Sequence, residues 1–328
     1  MTENAFNFQT LTPDTIVDAL LAKGIRIDSG LTPLNSYENR VYQFMDEDRA
    51  RYVVKFYRPQ RWSRAQIQEE HDFARELVED EVPLAAPIAY DGQTVLEHNG
   101  FMFAVFPSLG GRQYEADNLD QMEWVGRYLG RIHQAGRRKL FHHRPSINLN
   151  DYLIEPRAEF ERSPLIPNKL KTDFLAATDG LIAAVSALWP LHLKTLRLHG
   201  DCHPGNILWR DGPLFVDLDD ARNGPAVQDL WMLLSGDRSE QRMQLETIVE
   251  AYEEFSSFDA GELALIEPLR AMRLVYYQAW LLRRWEDPAF PRSFPWIAEE
   301  DFWRRQTATF REQIRALQAP PLQLTPMY

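Results

Sequence analysis

A chain of 328 residues, 45% of them hydrophobic, can bury a sizeable core and has the length of one large or two medium domains. Its formal net charge of −12 repels nucleic acid and anionic lipid, and its single cysteine excludes an internal disulfide. No run approaches the roughly 18 apolar residues of a membrane span, since "LIAAVSALWPL" is short and interrupted by Ser186 and Pro190.

The start, "MTENAFNFQT", lacks the basic residues and apolar run of a leader, so a cytoplasmic location is expected; the charge and the missing span lead to the expectation of no nucleic-acid or membrane partner, and a monomer is expected. "TPD" then opens a short helix, with Thr12 as N-cap and Pro13 in the first helical position. Strand-like runs follow: "RVYQFM" (40–45), "RYVVKFY" (51–57), "PIAYDG" (87–92), "QTVLEH" (93–98) and "FMFAVFP" (101–107), the last two preceded by the hairpin dipeptides "DG" and "NG". One helix intervenes, Ser63 to Glu79, with Ile67, Phe73 and Leu77 on its apolar face. The expectation is a small antiparallel sheet with one main helix over residues 1–107. A hinge or linker, "PSLGGRQYEADN", covers 108–118, and a larger, mostly helical lobe covers 119–328.

In that second part "DQMEWVGRYLGRIHQAGRRKL" and "EQRMQLETIVEAYEEF" carry apolar residues at helical spacing. "ELALIEPLRAMRLVYYQAWLLRRW" runs through Pro268, which either kinks the helix or marks its start, and its aromatics read as core rather than as a ligand cage. The cations of "GRRKL" and "LLRRW" close helices and read as solvated helix ends. The Pro-rich stretch from Arg144 to Pro167 reads as a long surface connection, and "APPLQLTPMY" as an irregular tail.

The chemistry concentrates in "LHGDCHPGNILWRDGPLFVDLDDA", Leu198 to Ala221, which holds five carboxylates, two histidines and the only cysteine. His199, Cys202 and His203 are soft metal ligands, but no second pair stands at finger-like spacing elsewhere. A chance turn between buried strands is the plainest alternative. Phosphoryl transfer explains more of the pattern. Kinase catalytic loops carry His, Asp and Asn at the offsets of His199, Asp201 and Asn206, followed by a strand-borne metal aspartate, here Asp217 after the "ILW", "DGP", "LFVD" hairpin. One amide oxygen, one carboxylate and nucleotide phosphates suffice for Mg²⁺. By the period of two, Asp219 falls on the same strand face as Asp217 and is either a supporting or metal group or simply solvated.

A kinase also needs a lysine for the phosphates and a glutamate to hold it. Lys55 ends an apolar strand, where a charge is costly unless paired, and the next helix offers Glu69 and Glu70, of which Glu70 is the better placed. No G-x-G-x-x-G stands in "LTPLNSYENRVYQF"; Ser36 and Asn39 are its polar candidates for meeting phosphate. Two rival classes remain. A metal-dependent phosphohydrolase holding two Mg²⁺ ions has no use for Lys55 and Glu70. A non-catalytic nucleotide sensor has no need of the intact Asp201, Asn206 and Asp217.

"HGDCHPGNILW", "VDLDDARNGPAVQDLWML" and the "LGRIH" of the preceding helix resemble the aminoglycoside phosphotransferase and choline kinase-like superfamily. The resemblance runs along nearly the whole chain and is most specific from His199 to Asp229. It implies a bilobal α+β protein-kinase-like fold with ATP in the cleft, Asp201 as catalytic base, Asn206 and Asp217 as Mg²⁺ ligands of the catalytic centre, Ser36 at the phosphates and Asp229 bracing the catalytic loop. Gly200 departs from the arginine of eukaryotic protein kinases, and only eleven residues lie between Asp217 and Asp229, leaving little room for a peptide-binding activation segment. Read bare, that favours a small hydroxyl compound of the kind taken by aminoglycoside, choline and homoserine kinases. The resemblance to a bacterial cytoplasmic branch that acts on Ser and Thr, in stress responses, implies a protein acceptor instead.

Overall fold

Turn chemistry and alternation set the sheet. In the computed structural model, which describes residues 8–325, the Thr12 hydroxyl accepts from the Thr15 N–H at 3.2 Å and caps α1 (Pro13–Leu21). Strands β1 (Thr32–Pro33), β2 (Arg40–Met45) and β3 (Arg51–Phe56) precede helix α2 (Arg64–Glu79), and β4 (Leu96–His98) and β5 (Phe101–Pro107) follow it. The five strands form an antiparallel sheet in the order β1-β2-β3-β5-β4. Asn99 and Gly100 both take positive φ, 49° and 81°, as a two-residue β4–β5 hairpin requires. The expected strand at "PIAYDG" is not formed. Pro87 has no N–H to give, Ile88 makes one bond to Val105, and a single bridge joins Tyr90 to Gln93, so this segment crosses β5 as irregular chain.

A capping box of Ser63 and Gln66 starts α2. Its Phe73 and Leu77 pack into the core of the helical lobe, whereas Ile67 packs on Tyr57, Val95 and Ala104 of the sheet. The helix therefore belongs to both sides.

The segment read as a linker holds a short strand, β6 (Arg112–Gln113), before α3 (Leu119–Gly136), α4 (Glu155–Arg162) and α5 (Asn168–Leu188). Strands β7 (Leu196–Leu198), β8 (Ile207–Trp209), β9 (Pro213–Phe215) and β10 (Arg222–Gly224) carry the residues of interest, with β6-β8-β9 and β10-β7 as two small sheets. The chain ends in α6 (Gln228–Trp231), α7 (Arg238–Tyr252), α8 (Ile266–Arg283), α9 (Ala289–Ser293) and α10 (Glu300–Leu317).

The stretch from Arg144 to Pro167 is not a surface connection. It contains a π-helical turn, Asn150–Ile154, leading into α4, with Leu153 and Phe160 fully buried. Pro156 follows this π-helical turn directly, and the helical run continues through it to Arg162. Pro268 lies in the first turn of α8 and marks its start. The tail is irregular to Thr325 but buries Leu322, and its last three residues lie outside the described part. Among the described residues no helix is long and apolar enough to cross a membrane.

Candidate active site

Strand β7 leads through fully buried His199 to Gly200 and Asp201, which line the cleft between the sheet and the helical lobe. Gly200 has φ +87°, and a Cβ there would stand 2.1 Å from the Asp220 carbonyl oxygen. The loop after β7 and the turn after β9 thus touch backbone to backbone, which only glycine allows. Fully buried Asp229, in the first turn of α6, braces the same loop: one oxygen accepts from Gly200 N–H at 2.9 Å, the other from His199 N–H at 2.9 Å and faces His133 Nε2 at 2.9 Å. His133 comes from α3 and is itself held by Tyr252 of α7 at 2.9 Å. His199 Nε2 donates to the Val216 carbonyl at 2.9 Å, tying the loop to the end of β9.

Asp201 then faces the cleft. Its Oδ1 accepts from Arg273 of α8 at 2.7 Å and its Oδ2 lies 3.4 Å from His203. Burial raises its pKa, but the His203 hydrogen bond and the Arg273 charge outweigh burial and hold the carboxyl well below its usual range. Asn206 donates through Nδ2 to the Asp201 carbonyl at 2.9 Å, leaving its own Oδ1 without a donor among the described residues.

Asp217 leaves the β8–β9 hairpin in the left-handed region, φ 61°, and residues 218–220 form a 3-10 turn. The strand therefore stops before it, and Asp219 does not share a strand face with Asp217. The two part company in environment as well. The Asp217 side chain is half exposed to the cleft, whereas Asp219 is buried and receives Asn39 Nδ2 at 3.0 Å and Arg61. Burial raises the Asp219 pKa, and Arg61 with Lys55 more than reverses it, so the carboxylate stays ionised.

Lys55, buried on β3, has its Nζ 3.7 Å from Glu70, 3.2 Å from Asp217 and 3.4 Å from Asp219. Burial alone would discharge it; these carboxylates outweigh burial and keep the ammonium charged. The two neighbouring glutamates separate cleanly. Glu69 accepts the backbone N–H groups of His142, His143 and Arg144 at 2.7, 2.8 and 2.8 Å, while buried Glu70 lies between Lys55 and Arg144, the latter at 3.4 Å.

Ser36 lines the cleft on the loop between β1 and β2. Asn39 does too, but both ends of its amide are committed: Oδ1 accepts from Arg58 N–H at 3.0 Å and Nδ2 serves Asp219. Between them Glu38 is held by Arg284 at 2.8 Å, Arg58 at 3.1 Å and the Trp280 indole N–H. Asp287 receives Arg40 at 2.9 Å and Arg58 at 2.8 Å.

Several residues here escape a reading of the sequence. Arg144 is buried and donates to the backbone oxygens of Gln66, Asp219 and Ala221, yet in "FHHRP" nothing marks it. The cations of "GRRKL" and "LLRRW" are paired: Arg138 with Asp80 at 2.8 Å and Lys139 with Glu76 at 2.6 Å, both still more than half exposed as a solvated helix end is, and the more buried Arg283 with Glu159 at 2.8 Å and Arg284 with Glu38. The aromatics of α8 are not all core. Tyr276, Tyr277 and Trp280, at helical spacing with Leu269, Met272 and Arg273, line one wall of a cleft of about 480 Å³ that also contains Ser36, Asp201, Asn206 and Asp217. His199, Cys202 and His203 do not converge: Cys202 is buried with its thiol pKa pushed up by burial, and among the described residues no three such groups are arranged to hold a metal.

An antiparallel sheet over a helical lobe, with a lysine–glutamate pair above and a His-x-Asp loop below one cleft, defines a protein-kinase-like phosphotransferase. The chain belongs to the phosphotransferase enzyme family (APH), whose family model matches residues 30–266. It is 74% identical over 328 residues, 100% of both chains, to stress response kinase A of Escherichia coli (strain K12). It is 70% identical, again over 100% of both, to the serine/threonine protein kinase RdoA of Salmonella typhimurium (strain LT2). Its fold matches amicoumacin kinase hAmiN, solved in complex with AMP-PNP, Ca²⁺ and Ami, at a TM-score of 0.71 and 21% identity over 93% of this chain and 94% of that one. A microcompartment-associated aminopropanol kinase matches at 0.70 and 17%, over 95% and 100%. The chain is a kinase, a phosphotransferase with a hydroxyl acceptor.

Proposed function

We propose that the protein transfers the γ-phosphoryl group of ATP, with Mg²⁺, to Ser and Thr hydroxyls of proteins in the cytoplasm, acting as a monomer in a stress response. The observation that carries the reading is the convergence of Asp201, Asn206, Asp217 and Lys55 on one cleft, in a chain 74% identical to a stress response kinase. Residues 1–107 would bind the nucleotide, 108–118 act as hinge, and 119–328 carry the catalytic centre and acceptor site.

The donor set fits Mg²⁺, because the free Oδ1 of Asn206 and the half-exposed carboxylate of Asp217 are hard oxygen ligands facing the cleft. Bound there with nucleotide, the ion would neutralise charge on the phosphates. The chain's own groups do the rest. Lys55, steadied by Glu70, orients the phosphates, and Ser36 meets them from above. Asn39, its amide committed, keeps Asp219 in place rather than touching phosphate. Asp201, ionised and held by its loop, orients the acceptor hydroxyl and takes its proton as the O–P bond forms.

A small hydroxyl compound is the second reading. It is favoured by the short span between Asp217 and Asp229 and by solved neighbours whose names specify small-molecule kinases.

Asp201→Asn tests the reading. Nucleotide affinity should persist, while transfer falls by about two to four orders of magnitude with little change in KM for ATP. Calorimetry and a transfer assay on one preparation measure both, and near-wild-type transfer would overturn the assignment.

A further inference from the structure

The cations around the cleft are nearly all committed. Arg61 pairs with Asp219 and with Asp220 at 2.9 Å, Arg222 with Asp220 at 2.7 Å, Arg284 with Glu38, and Lys55 with three carboxylates. Each of those carboxylates keeps a cation whatever happens at Asp201. Arg273 differs. Its side chain is 44% exposed, it projects from the cleft-lining face of α8 between Met272 and Tyr276, and its one partner among the described residues is Asp201 Oδ1.

That partner is the atom an incoming hydroxyl needs. Asp201 Oδ2 turns into its own loop, toward His203 and Asn206, both at 3.4 Å. The open side of the carboxylate is the one Arg273 occupies. A hydroxyl donating there competes with the guanidinium, which is then left without an anion beside the walls of Tyr152, Tyr276 and Tyr277. A guanidinium carries five donors in a planar fork, of which this one uses a single N–H, and that fork matches a carboxylate in two-point contact.

We propose that Arg273 is the acceptor-reading residue and that, given the kinase reading above, the site selects hydroxyls flanked by a carboxylate. Two sources carry that chemistry: an acidic side chain next to a Ser or Thr in a protein, or the carboxyl group of a free hydroxy acid. In both the acceptor brings the anion that Arg273 loses as Asp201 turns to the hydroxyl. Charge reversal or neutralisation of the acceptor, with its hydroxyl unchanged, should therefore weaken its use.

The experiment measures kcat/KM for matched acceptors with wild type, Arg273→Ala and Arg273→Lys. One arm uses serine peptides with Asp or Asn beside the serine; the other uses homoserine against homoserine amide. Wild type should prefer the acidic member of one pair by about 10- to 100-fold, as expected for a charge-assisted contact, and that pair identifies the source. Arg273→Ala should bring the ratio to within about twofold, and Arg273→Lys, which keeps the charge without the fork, should fall between. Equal use of both members by wild type overturns the proposal. So does an Arg273→Ala variant that loses equally on both members, which would mean the side chain only steadies Asp201 or the transferring phosphate. Absence of transfer to every acceptor of both arms, with nucleotide bound, overturns the proposed acceptor class, whereas loss of nucleotide binding as well would overturn the reading of the cleft as the ATP site.

Discussion

Glu70→Gln isolates what the glutamate does for Lys55. Three carboxylates surround the ammonium at 3.7, 3.2 and 3.4 Å, and at an effective dielectric of about 20 each attraction is worth about 4–5 kcal/mol before desolvation. The three pulls are nearly equal, but one points to α2 and two to the turn at 217–219. Removing the α2 charge leaves Lys55 drawn onto Asp217 and Asp219, where it competes for the carboxylate a metal would use and points away from the phosphates. Glutamine keeps an acceptor for Arg144, which also retains its bonds to the Gln66, Asp219 and Ala221 carbonyls, so the fold persists. After desolvation the net loss should be about 1.5–3 kcal/mol, the range of a hydrogen bond to a charged group, or about 10- to 150-fold in ATP affinity. Calorimetry with nucleotide and Mg²⁺ on wild type, Lys55→Ala, Glu70→Gln and the double variant measures it, with urea midpoints as a control for folding. If the glutamate acts through the lysine, the double variant loses little more than Lys55→Ala. Losses that simply add would refute the argument.

Asp229→Ala leaves the Gly200 and His199 N–H groups and the His133 ring without their buried acceptor; unfolding free energy should drop by about 3–5 kcal/mol, read from urea curves, and transfer should fall with the loosened loop. His71 is buried between Tyr57 at 2.7 Å and Thr94 at 2.9 Å, and burial together with the Lys55 charge lowers its pKa to about 3. The unfolded chain therefore takes up this proton near pH 6.5 and the folded one only near 3, so stability is lost as pH falls through that window, at up to about 1.4 kcal/mol per unit. Urea curves should show wild type losing about 2 kcal/mol more than His71→Gln between pH 7 and 5, and equal losses would remove His71 as the cause.

What the sequence disclosed follows from how local each signal is. Thr12 and Pro13, the Ser63–Gln66 box and the Asn99–Gly100 turn act within three residues, and the elements they bound lie where they were expected. The offsets from His199 to Asp217 are legible because one loop and one hairpin bring these residues together. Arg144 is the opposite case: its carbonyl partners lie 78, 75 and 77 residues away, and nothing in its own neighbourhood announces them. The same holds for Arg284 with Glu38, 246 residues apart, so a helix end read locally looks solvated. Asp219 departs from the strand pattern for a different reason. The period of two assumes a strand that continues, and the left-handed Asp217 ends it.

The missing glycine motif finds a physical account in those distant pairs. A glycine-rich loop lets bare backbone approach phosphate, and its shape comes from φ angles that only glycine tolerates. The loop here has no glycine between Leu31 and Phe44 and holds its shape through side chains instead. Asn39 is stitched to the chain just after β3 through Arg58 N–H and to the far lobe through Asp219. Glu38 is clasped by Arg58 of its own lobe and Arg284 and Trp280 of the other, and Asp287 gathers Arg40 and Arg58. Glu38 and Asp287 are largely buried, and the nearby cations outweigh burial in keeping both ionised, so salt screens these pairs less than it would at the surface. The position of Ser36 is consequently set by the helical lobe as much as by the sheet. Helix α8 and the residue that follows it hold Glu38 at the C-terminal end through Trp280 and Arg284, and reach Asp201 from mid-helix through Arg273. One helix thus spans the loop that carries Ser36 and the carboxylate of Asp201. A change in the setting of that helix must be felt at both.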